Sequence, residues 1–99
     1  HVSDVVAAYE QILEYTANKG QVGAFNISSG DRRETIEIFT TIEKIIGVDI
    51  DHEILRDESL EIRRQFMDSS LLSKETGWAP KRNLTESMEE TVNWYLQNL

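Results

Sequence analysis

Asp68-Ser69-Ser70-Leu71-Leu72-Ser73-Lys74-Glu75-Thr76-Gly77-Trp78-Ala79-Pro80 is a complete helix with its own start and stop. Asp68 or Ser69 can accept from the free N–H groups of a first turn. Gly77 suits the left-handed position just past a helix, and Pro80 forbids its continuation. One short helix fits between. Trp78 follows it as an anchor with a large area to bury. The stretch predicts a packing hinge, with Trp78 largely buried between this short helix and the last helix of the chain.

Working outward, Val5 to Glu14 reads as an amphipathic helix with Val5, Val6, Tyr9, Ile12 and Leu13 on one face. Ser3 or Asp4 is its natural cap, and Asn18-Lys19-Gly20 ends it. Val22 to Ile27 is a short apolar run with the pattern of a buried strand. Ser28-Ser29-Gly30-Asp31 is a loop. Thr35 to Ile46 predicts a second helix, capped by Thr35 and closed by Gly47, with a stripe of Ile36, Phe39, Ile42, Ile45 and Ile46. Asp49 to Leu55 alternates as a strand does, residues 57–61 are loop-like, and Ile62 to Met67 reads as extended. A last helix is expected from Glu86 to Gln97 behind Thr85, with Met88, Val92, Tyr95 and Leu99 on one side and Trp94 beside them. The expected fold class is α/β: one small domain over residues 1–99, about four helices and two or three short strands, with strands near Val22 to Ile27 and Ile62 to Met67 forming a small sheet.

Composition narrows the function classes. Ninety-nine residues with 39% hydrophobic and 28% charged side chains is globular and can bury a modest core. A formal net charge of −8 argues against a duplex-binding protein, which needs a basic face. The absence of cysteine removes disulfides and cysteine-based zinc sites. No apolar run reaches membrane-spanning length and no signal peptide is visible, so a cytoplasmic location is expected. The opening His1-Val2-Ser3-Asp4 reads as the start of a piece cut from a longer chain, or of a processed one.

Few residues point to chemistry. Tyr15 and Lys19 have the Y-x-x-x-K spacing in which a lysine lowers a tyrosine pKa for acid–base work, but two residues carry little specificity and no glycine-rich phosphate loop accompanies them. His1 and His52 lack carboxylates at metal-ligand spacing. Asp49-Ile50-Asp51 and Glu86 to Glu90 read as solvated acidic faces. Asn26-Ile27-Ser28 and Asn83-Leu84-Thr85 match the glycosylation sequon by accident in a chain without a signal peptide. Arg63-Arg64 is the most informative pair. Two adjacent arginines before a helix start can grip a phosphate in forks, helped by free helix N–H groups. The competing reading is a surface salt bridge to Asp57, Glu58 or Glu61, and spacing alone favours it.

The landmarks taken together resemble the C-terminal part of extended short-chain dehydrogenase/reductases acting on nucleotide sugars, the NAD-dependent epimerase/dehydratase family. The residues that carry the resemblance are His1-Val2-Ser3-Asp4-Val5-Val6, Ala24-Phe25-Asn26-Ile27, Thr35 to Ile38, Glu61-Ile62-Arg63-Arg64, Asp68-Ser69-Ser70, Gly77-Trp78-Ala79-Pro80 and Thr91-Val92-Asn93-Trp94-Tyr95. They run through essentially the whole chain in order. No one of them is specific; the ordered set is.

The resemblance implies the smaller, substrate-binding lobe of such an enzyme. The dinucleotide loop and the catalytic Tyr and Lys belong to an upstream Rossmann lobe, so the chain is not catalytic by itself. NAD or NADP is then the cofactor of the parent, an isomerase or lyase, and none is bound by this piece. The implied partners are a nucleotide-sugar and the upstream lobe, with no nucleic acid and no membrane. A family arginine near Arg63 or Arg64 contacts the diphosphate; the register leans to Arg63. Many members also carry Arg where this chain has Glu58, a departure for which Arg56 could compensate, and Thr76 stands where Leu is usual. The alternative function is a freestanding acidic α/β protein-interaction domain. A glycine-rich loop and a Y-x-x-x-K upstream of His1 in the parent reading frame would separate the two.

Overall fold

The computed structural model describes residues 1–21, 23–55 and 65–99. Among them are four helices: α1 (Val2–Lys19), α2 (Thr35–Ile46), α3 (Ser70–Thr76) and α4 (Leu84–Asn98). They fall into two compact units, one of residues 1–32 and 66–82, the other of residues 33–65 and 83–99.

The first unit is built on α1. The helix starts three residues earlier than its apolar pattern implies, because His1 supplies the cap: its Nδ1 accepts the Ser3 N–H at 3.2 Å. Gly20 ends it in the left-handed conformation at φ 62°. Ala8 on α1, Leu72 on α3 and Trp78 just beyond α3 are the buried core, with Ala7, Ile12, Phe25 and Ile27 packed around them. Trp78 is 2% exposed, as its size demands, and the cluster it belongs to is drawn from α1, α3 and the residue 25–27 segment. Its indole N–H donates to the Asp4 carbonyl at 3.0 Å, which satisfies the one polar group a buried tryptophan carries. The Asp4 carboxylate is not a cap. It accepts the N–H groups of Lys81 (3.1 Å) and Arg82 (3.3 Å), tying the chain after Pro80 back to α1.

The second unit pairs α2 with α4. At the start of α2, Glu37 reaches back to accept the Glu34 N–H at 2.8 Å, so Glu34 is the cap in place of Thr35. Ile36, Phe39, Ile42 and Ile45 are half-buried as their spacing predicts, whereas Ile46 is exposed. α4 starts two residues early, capped by Asn83, whose side chain accepts the Glu86 N–H at 2.9 Å. Its inward side is Leu84, Ser87, Met88, Thr91 and Val92; Tyr95 and Leu99, expected on the same stripe, are exposed. The hydroxyls of Ser87 and Thr91 bond the carbonyls four residues back, at 2.7 and 2.8 Å, and so can be turned inward without an unmet polar group.

The α/β expectation is overturned: the described residues contain helices and no strand. Residues 23–27, 49–55 and 65–67 are irregular; Val22 and residues 62–64 of the expected strands lie outside the described residues. A strand exists only as one side of a ladder. Here the extended segments take other partners. Phe25 and Ile27 pack on the α1–α3 core, and Phe25 meets the Tyr15 ring edge-on at 5.9 Å. The N–H of Ile50 goes to the Glu43 carboxylate at 2.8 Å. No described helix is long and apolar enough to cross a membrane.

Candidate functional site

The arginine pair singled out by the sequence, Arg63 and Arg64, lies outside the described residues, as do Arg56, Asp57, Glu58 and Glu61. The described structure resumes just after the pair, on the segment from 65 to the start of α3. That segment is anchored. The Ser69 hydroxyl donates to the Ser28 carbonyl at 3.0 Å, and the Arg32 guanidinium sits over the Phe66 ring, 3.9 Å from its centroid. Loop 28–32 and segment 66–70 therefore lie side by side, and Arg32 brings a positive charge beside Phe66, which follows the pair by two residues. Sequence reading missed Arg32; an arginine two residues past a glycine turn carries no signal of the aromatic ring it covers.

The start of α3 is occupied from within. Asp68 Oδ1 accepts the Ser70 N–H at 2.8 Å. Hydrogen bonds from the Ser70 N–H and hydroxyl hold the Asp68 carboxyl below its ordinary value, against a smaller opposing effect of desolvation. Of the two capping candidates, Ser69 holds the N-cap position without a side-chain cap bond, its hydroxyl going to Ser28, while Asp68 just before it accepts the Ser70 N–H. An incoming phosphate would meet this carboxylate at the first turn, so attraction of an anion here calls for side-chain cations to offset it.

The Tyr15–Lys19 spacing does not form an acid–base pair. The Tyr15 hydroxyl lies within donating distance of Gln21 Oε1 (3.1 Å) and Glu75 Oε2 (3.2 Å). Lys19 Nζ stands over the ring face, 5.1 Å from the centroid. Desolvation, then the hydrogen bond and negative charge of Glu75, raise the Tyr15 pKa, opposite to what a catalytic tyrosine at neutral pH requires. The two histidines are also accounted for. His1 caps α1, and His52 packs on Phe39 at 4.6 Å between centroids, its Nδ1 3.1 Å from the Ile50 carbonyl. No group of three potential metal ligands occurs among the described residues. Glu86, Glu89 and Glu90, with Asn93, Trp94 and Gln97, line an open depression on α4.

No family model matches the chain, and no solved structure matches it. Curated relatives do, over its whole length. The chain is 26% identical over 98 residues to the UDP-glucose 4-epimerase of Haemophilus influenzae, covering 99% of this chain and 29% of that protein. It is 31% identical over 101 residues to a trifunctional UDP-glucose 4,6-dehydratase/UDP-4-keto-6-deoxy-D-glucose 3,5-epimerase/UDP-4-keto-L-rhamnose-reductase of Arabidopsis thaliana, covering 99% of this chain and 14% of that protein. To the UDP-glucose 4-epimerase of Bacillus subtilis it is 25% identical over 99 residues, 100% of this chain and 29% of the relative. The chain therefore resembles nucleotide-sugar epimerases and dehydratases along its full length while spanning under a third of the length of each.

Proposed function

We propose that the chain is the substrate-binding, C-terminal lobe of an NAD(P)-dependent nucleotide-sugar epimerase or dehydratase, acting as one functional piece over residues 1–99. The observation that carries this reading is the end-to-end similarity to relatives whose names all contain a UDP-linked sugar. A uridine diphosphate sugar is accordingly the substrate class. In this reading the nicotinamide chemistry and its acid–base tyrosine belong to the rest of the parent enzyme. The raised Tyr15 pKa supports that division, since desolvation and then Glu75 favour the neutral form of this tyrosine.

Arg63 and Arg64 are the diphosphate-gripping residues of the proposal, with Arg63 the first choice. Guanidinium forks match paired phosphate oxygens, and the Asp68 carboxylate at the start of α3 disfavours an anion there. Half of a binding site gives weak affinity, millimolar at best, on the order of −4 kcal/mol. Titration of the chain with UDP, dTDP, CDP and GDP, followed by backbone amide shifts, tests it. Shifts should cluster from Arg63 to Ser70, be largest for UDP, and vanish in Arg63→Ala or Arg64→Ala. Equal, scattered shifts for all four nucleotides, untouched by both substitutions, would leave the arginines as surface salt-bridge partners.

A further inference from the structure

Among the described residues, the Arg32 guanidinium has no carboxylate partner, in a chain with 18 acidic and 10 basic side chains. Arg33, next to it, pairs with Glu37 at 3.5 Å. Arg32 sits over the Phe66 ring, 3.9 Å from its centroid. Attraction between a cation and a ring uses the charge and spends no N–H donor. The donors of the guanidinium stay available in a fixed fork, the shape that matches two oxygens of one phosphate. Shielding the Phe66 ring needs only a long apolar stem, so the unspent fork is more than that contact requires. The loop that carries Arg32 is fixed from within and from outside. The Ser28 and Ser29 hydroxyls accept the N–H groups of Gly30 (3.1 Å) and Asp31 (3.2 Å), and Gly30 makes the turn in the left-handed conformation at φ 71°. The Ser69 hydroxyl ties the loop to the segment that holds Phe66, donating to the Ser28 carbonyl at 3.0 Å. A side chain already held on a ring by an anchored loop loses less freedom when it binds. Arg32 and Phe66 are both exposed, so a ligand can reach the outer edge of the stack.

We infer that Arg32, held on Phe66, is a further phosphate-binding residue of this chain, its guanidinium edge taking a pair of oxygens of the uridine diphosphate. The inference rests on the reading that the chain binds a UDP-sugar. It adds to that reading a cation from loop 28–32, separate in sequence and in element from Arg63 and Arg64. The Asp68 carboxylate on the adjoining segment disfavours an anion, and Arg32 is a described cation beside that segment that offsets it.

The chain is titrated in mildly acidic, low-salt buffer with UDP, inorganic pyrophosphate, uridine, and sodium chloride matched in ionic strength. The Arg32 side-chain Nε–Hε signal is followed by NMR, which reads the guanidinium without any substitution. It should move with UDP and with pyrophosphate, and stay still with uridine and chloride. Arg32→Gln, which loses the charge and the fork, should raise the UDP dissociation constant by about fivefold or more. Arg32→Lys, which keeps the charge alone, should raise it by about two- to threefold. Backbone amide spectra unchanged away from loop 28–32 and segment 65–70 show that each variant is folded. UDP shifts that vanish in Arg63→Ala while the Arg32 signal stays still and Arg32→Gln binds normally would overturn this inference and leave the functional reading. An Arg32 signal that chloride moves as far as UDP does marks an adventitious ion only, and overturns it too. If Arg32 answers to pyrophosphate, and UDP, dTDP, CDP and GDP bind no better than pyrophosphate, Arg32 is a phosphate-binding residue and the nucleotide reading fails. No response to UDP or pyrophosphate anywhere in the chain removes both.

Discussion

Trp78 and Asp4, seventy-four residues apart, are joined through the backbone: the indole N–H of Trp78 donates to the Asp4 carbonyl at 3.0 Å. The same Asp4 holds the N–H groups of Lys81 and Arg82 with its carboxylate. One residue of α1 thus fixes both the anchor after α3 and the chain that leaves it. The two contacts are of different kinds, and substitution separates them.

Trp78→Ala removes the largest buried side chain and should destabilise the chain by about 3–5 kcal/mol. Trp78→Phe keeps most of the apolar contact and loses the hydrogen bond, at a cost of about 1–2 kcal/mol. Asp4→Ala leaves two backbone N–H groups at a partly solvated site without their acceptor, again about 1–2 kcal/mol. Urea melts followed by tryptophan fluorescence, with Trp94 as the constant background, measure the first two against Asp4→Ala. A Trp78→Ala chain that melts as the unsubstituted one does would remove Trp78 from the core.

The Tyr15 hydroxyl should ionise above the ordinary tyrosine range, because partial desolvation and then Glu75 favour its neutral form. The folded pKa lies above the unfolded one, so the associated stabilisation is complete below about pH 10 and fades as pH rises through the folded value. Glu75→Gln should bring the titration down towards the ordinary range. NMR titration of ring-labelled tyrosine resolves Tyr15 from Tyr9 and Tyr95. A Tyr15 that ionises early would restore the acid–base reading of the Tyr15–Lys19 spacing.

Asp68 has the opposite sign. Its folded pKa is held down by the Ser70 hydrogen bonds, so its contribution is present above the ordinary aspartate pKa of about 4. It is lost as pH falls through the lower folded value. Asp68→Ala should remove that acid-side loss and fray the first turn of α3, while Asp68→Asn keeps the cap. Amide exchange at Leu72 and Ser73, compared at pH 3 and pH 6 after correction for intrinsic rates, reports both effects. Equal protection in all three proteins would deny Asp68 a capping role.

The glycine stops of the helices were legible because they are written locally, whereas the starts of α1, α2 and α4 were read two or three residues late or one residue off, their caps being His1, Glu34 and Asn83. Gly47 and Gly77 both close their helices at φ 77°, as their places after an apolar stripe imply. Asp68 and the Gly77–Pro80 stop frame α3 as read. The strands misled because their signal is real but incomplete. Phe25 and Ile27 are half-buried while Ala24 and Asn26 are exposed, a true alternation. What makes alternation a strand is a second strand with which to exchange hydrogen bonds, and that is a distant fact absent from the segment itself. In α4 the pattern Met88–Val92–Tyr95–Leu99 fits a helix, yet Ser87 and Thr91 point inward and turn the buried face away from Tyr95. Their hydroxyls bond back to α4 itself, which hydropathy alone does not anticipate. For the candidate site, Asp68 was visible as an acceptor for the first turn, whereas Arg32 over Phe66 joins residues thirty-four apart that share no motif.

The last prediction uses Asp68 to test where a diphosphate would sit. If Arg63 and Arg64 hold UDP with its phosphates near the start of α3, the ligand meets the Asp68 carboxylate, whose pKa is held down by its hydrogen bonds from Ser70. Like charges near a surface repel weakly at low ionic strength and are screened at high ionic strength. Asp68→Asn removes that charge while its amide oxygen still caps Ser70. The UDP dissociation constant should therefore fall by about two- to fivefold at 20 mM salt. At 0.5 M salt the screening length shortens to about 4 Å and the gain should vanish. Asp68→Ala also removes the charge but sacrifices the cap, so it should gain less. A dissociation constant unchanged in Asp68→Asn at low salt would place the phosphates away from α3, and with them the proposed role of the neighbouring arginines.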